Sequence, residues 1–153
     1  MPEGSHDPFE AVIAPAGTVL AFDFGTRRIG LAVGESMLGL AHPLSEIAAE
    51  RTEPRFAAIA QVIAEWNPQH LVVGLPLSAD GTPHELTRRA QRFARQLEGR
   101  FGLPVSLVDE RYTSVEAEAN LRYAGAHKAI REKRIDSAAA QLILQQYFHA
   151  HAA

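Results

Sequence analysis

Thr18-Val19-Leu20-Ala21-Phe22-Asp23-Phe24-Gly25-Thr26-Arg27 is an apolar run that ends on a charge. Alternation along an extended chain places Val19, Ala21 and Asp23 on one face and Leu20, Phe22 and Phe24 on the other. The Asp23 carboxylate therefore emerges at the edge of a core. Burial there is costly unless the group is paired or bound to a cation, so Asp23 is a candidate functional residue.

Reading outward, three strand-like pieces cover residues 18–23, 29–34 and 40–47. Pro43 removes a ladder donor from the third and places it at a sheet edge. Gly25 with Arg27-Arg28 marks the first turn, so the three strands form an antiparallel meander. Phe56, Ile59, Ala60, Ile63 and Trp66 then follow helical spacing, with Trp66 expected in the core, and Asn67-Pro68 ends that helix. Leu71-Val72-Val73 reads as a buried strand. Leu86, Ala90, Phe93, Ala94 and Leu97 mark a second helix, expected to stop before Gly99 and Gly102. Residues 105–108 form a fifth strand, and helices follow over about 114–124 and 135–149, the last with an apolar stripe of Ile135, Ala138, Ala139, Leu142 and Ile143. The order βββαβαβαα predicts an α/β fold: a mixed five-stranded sheet, antiparallel over β1–β3 and parallel over β4 and β5, with helices on both faces.

The chain has 153 residues, 46% hydrophobic and 22% charged, which suits one soluble domain, expected over residues 18–150 after a flexible leader over 1–17. Absence of cysteine excludes disulfides and thiolate metal sites and, with no membrane span or signal peptide in view, favours the cytoplasm. The net charge of −3 conceals an uneven distribution. The leader holds Glu3, Asp7 and Glu10, whereas residues 122–134 carry five basic side chains against Glu132. Residues 84–100 carry five arginines against Glu85 and Glu98. Two basic patches on a neutral body can grip phosphates, although a solvated helix face explains such arginines equally well.

Three carboxylates stand out. Asp23 ends the first strand, Glu110 follows the fifth, and Asp136 falls in the first turn of the last helix, so this topology can bring them to one end of the sheet. Alone, Asp136 is as readily a helix cap, and Glu110, between Asp109 and Arg111, a surface ion pair. Two charged carboxylates about 4 Å apart repel by about 4 kcal/mol at an effective dielectric near 20. Convergence therefore requires a cation or a shared proton. Oxygen-only ligands suit Mg2+ or Mn2+, and a pair of such ions can activate water and stabilise the leaving oxygen of a phosphodiester.

Four blocks carry a family resemblance: Ala21-Phe22-Asp23-Phe24-Gly25-Thr26-Arg27-Arg28-Ile29-Gly30; Val73-Gly74-Leu75-Pro76 with Asp80-Gly81; Asp109-Glu110-Arg111-Tyr112-Thr113-Ser114; and Ile135-Asp136-Ser137-Ala138-Ala139. Together they resemble the YqgF family of pre-16S rRNA nucleases, related to RuvC-type Holliday junction resolvases. The resemblance spans about residues 19–147. It implies an RNase H-like fold in which Asp23, Glu110 and Asp136 are the catalytic acids and the ligands of Mg2+ or Mn2+. RuvC-like enzymes often supply a fourth acid from the final helix. Here the positions three before and three after Asp136 are Lys133 and Ala139.

The implied partner is structured nucleic acid, precursor 16S rRNA or branched DNA, handled by a monomer or homodimer. Arg27, Arg28, Arg111, Lys128, Arg131 and Lys133 are the candidate phosphate contacts, the last three in a basic loop over 125–133. Two other classes compete with a nuclease. Asp23-Phe24-Gly25-Thr26 resembles the first phosphate loop of actin- and hexokinase-like phosphotransferases, but those folds need a second such domain. A noncatalytic binding module would not need all three acids.

Overall fold

The alternation of the first strand sets two cores on opposite faces of one sheet. The computed structural model describes residues 17–112 and 135–151. The element order is β1 (Thr18–Asp23), β2 (Ile29–Glu35), β3 (Leu40–Ile47), α1 (Thr52–Trp66), β4 (His70–Leu75), α2 (Glu85–Phe101), β5 (Val105–Asp109), a 3-10 turn (Glu110–Tyr112) and α3 (Ile135–Ala150). Residues 1–16 of the leader expected over 1–17, the helix over 114–124 and the basic loop over 125–133 lie outside the described residues.

The strands order as β3-β2-β1-β4-β5. β1 pairs antiparallel with β2 and parallel with β4, and β4 pairs parallel with β5. The carboxyl ends of β1, β4 and β5 therefore share one edge of the sheet, where Asp23 and Glu110 lie. Leu20, Phe22, Leu71 and Val73 pack under Phe56 and Ile59 of α1 and Phe93 and Leu97 of α2. Val19, Ala21 and Val72 face Ala140, Ile143, Leu144 and Tyr147 of α3. Each large side chain so buried contributes about 1.5–3 kcal/mol. Phe93 ties the first layer together, its ring centroid 5.8 Å from Phe22, 5.0 Å from Phe24 and 5.8 Å from Phe56.

Two helix readings change. Trp66, expected in the core, is 37% exposed. It occupies the last residue of α1, where Asn67 turns left-handed (φ 48°) and donates its N–H to Ile63 O at 2.8 Å, so the indole sits beyond the buried face. α2 runs through Gly99 to Phe101 and ends at Gly102 (φ 65°), whose N–H bonds Glu98 O. An interior glycine costs only about 1 kcal/mol, and Phe101, packed against the first core, lies beyond it.

The last helix is broader in its burial than its expected stripe, with Ala140, Leu144, Tyr147 and Phe148 buried and Ala139 only partly so. Its polar residues are spaced four apart and face β3, an edge strand as Pro43 indicated. Ser137 Oγ donates to Leu44 O, Gln141 Nε2 to Ala41 O at 3.0 Å, and Gln145 Nε2 to Gly39 O at 2.7 Å. These bonds satisfy carbonyls of the edge strand and its turn, and they anchor the first turn of α3, which carries Asp136. Among the described residues no helix is long and apolar enough to cross a membrane.

At the opposite end of the sheet His70 is buried, with Nε2 2.7 Å from Ser106 Oγ and its ring stacked 5.5 Å from Tyr147. Burial, and secondarily the nearby His151, hold its pKa below the ordinary 6.5. Nδ1 is buried with no partner among the described residues, so a second proton would bury an unmet N–H. The unfolded chain therefore takes up this proton first, and the contribution of neutral His70 to stability is present above about pH 6.5 and lost as pH falls through its folded value. Thermal melting of wild type and His70→Gln between pH 7.5 and pH 5 should show the wild-type advantage shrinking as pH falls. An advantage independent of pH would contradict a neutral buried His70.

Candidate active site

Asp23 is the last residue of β1, opposite Gly30, on the face covered by α3. One strand away, β4 and β5 pair Gly74 with Val108 and Leu75 with Asp109, and the 3-10 turn then aims Glu110 back over β4. A Cβ built on Gly74 would lie 2.8 Å from Glu110 Cδ and 2.9 Å from its Cγ, and would collide with Ile143 Cδ1 of α3. Gly74 is thus the floor on which the Glu110 carboxyl rests.

The Glu110 carboxyl is hydrogen-bonded to that of Asp23 and pushed up to about 8. Burial is the larger cause; the charge of Asp23, that hydrogen bond and the charge of Asp109 add to it. Near neutrality the pair therefore holds a proton where two bare carboxylates would repel. The neighbours of Glu110 form an ion pair with each other. Arg111 donates Nε to both Asp109 oxygens, at 3.1 and 2.9 Å, and Nη2 to Oδ2 at 2.6 Å. Those hydrogen bonds hold the Asp109 carboxyl below its ordinary value.

Such an oxygen-only, partly buried pair fits a hard divalent cation, which would supply the counter-charge that the shared proton now provides. Asp136 lies in the first turn of α3, and its side chain is outside the described residues. Among the described residues no three of His, Asp and Glu gather into a metal-binding group.

The basic candidates divide. Arg27 and Arg28 are exposed on the turn after β1, and with Asp23, Gly25, Thr26 and Gly30 they line a shallow pocket of about 360 Å3. Arg28 Nη1 also donates to Glu46 Oε1 at 2.7 Å. Arg111 is engaged by Asp109, and its Nη1 reaches Ala79 O at 3.5 Å, tying the Ser78–Thr82 turn to the site. Lys128, Arg131 and Lys133 lie outside the described residues.

Sequence reasoning missed Arg55. This α1 side chain is 6% exposed and donates Nε to Ala49 O at 2.7 Å and Nη2 to Gly25 O and Thr26 O at 3.0 and 2.8 Å. Its guanidinium also lies 5.5 Å from the Phe24 ring centroid. Burial lowers its pKa, with Glu50 opposing. Arg55 thereby pins the turn that follows Asp23. The signal was its place beside Phe56 on the core-facing side of the helix. The turn is tight, since a Cβ on Gly25 would stand 2.5 Å from Arg28 O.

Gly74→Ala should displace Glu110 and Ile143. Overpacking of this kind costs about 1–3 kcal/mol, whereas misplacing a reacting group by about 1 Å costs about 100-fold in rate. Melting temperature should fall by a few degrees while metal-dependent phosphodiester cleavage drops about 100-fold. Wild-type cleavage in this variant would show that Glu110 does not need the Gly74 floor.

The family profile described as "RuvX: Holliday junction resolvase" matches residues 17–150. A relative from Dechloromonas aromatica is 58% identical over 134 residues, covering 88% of this chain and 92% of its own. Another, from Nitrosomonas europaea, is 55% identical over 141 residues, covering 92% and 95%. Both bear the name "Putative pre-16S rRNA nuclease". Among solved structures, the fowlpox virus resolvase in complex with substrate Holliday junction DNA superposes with TM-score 0.61 at 8% identity, over 89% of this chain and 99% of that one. Thermus thermophilus RuvC gives 0.56 at 16% identity, over 87% and 95%. These likenesses give the RNase H-like fold, and the profile with the two close relatives gives the family: this chain belongs to the RuvX family.

Proposed function

We propose that this chain is a metal-dependent nuclease that hydrolyses phosphodiester bonds in structured nucleic acid, with precursor 16S rRNA as its substrate in the cytoplasm. The observation that carries the reading is the contact between Asp23 and Glu110 at the carboxyl end of the sheet. Two acids pressed together on apolar packing are poorly explained as scaffold. The names of the close relatives support the RNA substrate.

Asp23, Glu110 and Asp136 would hold Mg2+ or Mn2+. When bound, the metal supplies a water activated for attack and charge stabilisation for the leaving oxygen. The protein's own residues do the rest. Asp23 and Glu110 give up their shared proton to become ligands, Gly74 sets the height of Glu110, and Arg55 fixes the turn from which Arg27 meets the backbone phosphate. Lys128, Arg131 and Lys133 add phosphate contacts from the far side of the sequence, before α3.

A second reading, cleavage of four-way DNA junctions, is favoured by the description of the matching family profile. Symmetric junction cleavage needs two sites and therefore a dimer, whereas trimming RNA does not. Purified wild type and Asp23→Asn, each assayed on precursor 16S rRNA and on a four-way DNA junction with and without Mg2+ or Mn2+, separate the two. We expect metal-dependent cutting of the RNA by wild type and a loss of about 100- to 1000-fold in the variant, the scale of losing a principal electrostatic group. Cutting that survives in Asp23→Asn, or without metal, removes this site from the reaction. Cutting of the junction alone selects the second reading.

A further inference from the structure

We infer that the groove between α1 and α2 is a second binding site for the nucleic-acid backbone, holding the substrate strand away from the cut. This inference rests on the nuclease reading and names a site for its substrate outside the acidic centre.

The groove encloses about 460 Å3 and carries four arginines, Arg55, Arg88, Arg89 and Arg92, against Glu50 and Glu85. Arg88, Arg89 and Arg92 fall within little more than one turn of α2, where like charges at three- and four-residue spacing repel. Glu85 offsets part of this, lying 3.8 Å from Arg88 and 3.3 Å from Arg89. Arg92 makes no hydrogen bond or ion pair among the described residues, so an exposed guanidinium fork stands over the groove. Planar forks in such a cluster match phosphate oxygens bidentately.

Placement links the groove to the acidic centre. Phe24 lines it and directly follows Asp23, and strand alternation sets the two residues on opposite faces of the sheet. The turn over residues 24–28 is the ridge between site and groove. Arg55 holds that ridge through Gly25 O and Thr26 O while forming part of the groove wall. Both α1 and α2 also begin at this end, so their N-terminal partial positive charges add to the arginines. A strand with its scissile phosphate at Asp23 thus crosses the ridge past Arg27 and lays its backbone along Arg92 and Arg88. Contact on one side of the cut gives the site a preference for substrates extended in that direction.

The test compares wild type, Arg88→Gln/Arg92→Gln and Arg88→Lys/Arg92→Lys. Fluorescence anisotropy follows binding of a stem-loop RNA with a single-stranded extension, the same RNA without it, and a four-way DNA junction across a KCl series. Cleavage of the RNAs is followed in Mg2+. Because the changed side chains are exposed, melting temperatures should stay within about 2 °C of wild type.

For the extended RNA, the Gln variant should bind about tenfold more weakly, with the salt slope reduced by about one unit per arginine lost. Its KM should rise in step while kcat holds, and the Lys variant should keep most of the salt slope. On the shortened RNA all three proteins should coincide. Wild-type affinity and salt slope in the Gln variant, or a fall in kcat alone, overturns the groove. Salt-sensitive wild-type binding without cleavage discards the nuclease reading but leaves the groove to be judged by the binding series. A wild type that binds neither nucleic acid overturns both.

Discussion

Asp23 and Glu110 are two acids that the fold forces together, and the surrounding structure can be understood as the means of holding them there. At about 4 Å such a pair costs about 4 kcal/mol when both are charged, against a total stability for a domain of about 5–15 kcal/mol. Three elements impose the contact. β1 ends at Asp23 with its alternation facing α3; the turn after β5 aims Glu110 across the sheet; and Gly74 leaves the space into which it fits. Burial first, and then the charge of Asp23, push the Glu110 value up to about 8, so the pair keeps a proton near neutrality.

Much of this was legible from residues. The charge at the end of an apolar strand marked Asp23 because alternation and burial cost are local properties of the chain. The meander followed from the turn marked by Gly25 with Arg27-Arg28, the edge position of β3 from Pro43, and the crossovers from strands that alternate with helical spacing. Glu110 needed more: by spacing alone it was as readily a surface ion pair, and the four-block resemblance distinguished it. The structure then assigns the Arg111 ion pair to Asp109, a partner two residues away that only the geometry of a 3-10 turn selects.

What could not be read depends on tertiary contact. Gly74 in a buried strand announces no particular neighbour, since the atoms that would meet its Cβ come from residues 36 and 69 positions later. The place of Arg55 beside Phe56 signals a core-facing side chain, but nothing local says that its guanidinium meets the carbonyls of a turn some thirty residues earlier. Gly99 and Trp66 misled for the same reason: helix ends are decided by what the last turn packs against. The arginines of α2 were visible as a charge cluster, but their proximity to the turn after Asp23 follows from the helix lying across β4 and β5 with Phe93 reaching Phe22 and Phe24.

If a divalent cation takes the place of the shared proton, binding must expel that proton. Isothermal titration of the apo protein with Mn2+ at pH 7, in two buffers of different ionisation enthalpy, counts the protons released. With Glu110 near 8, about one proton should leave per ion bound at pH 7, falling toward none above about pH 9, and Glu110→Gln should lose both the release and most of the affinity. Tight Mn2+ binding at pH 7 without proton release, or unchanged in Glu110→Gln, would contradict the metal-exchanged acid pair.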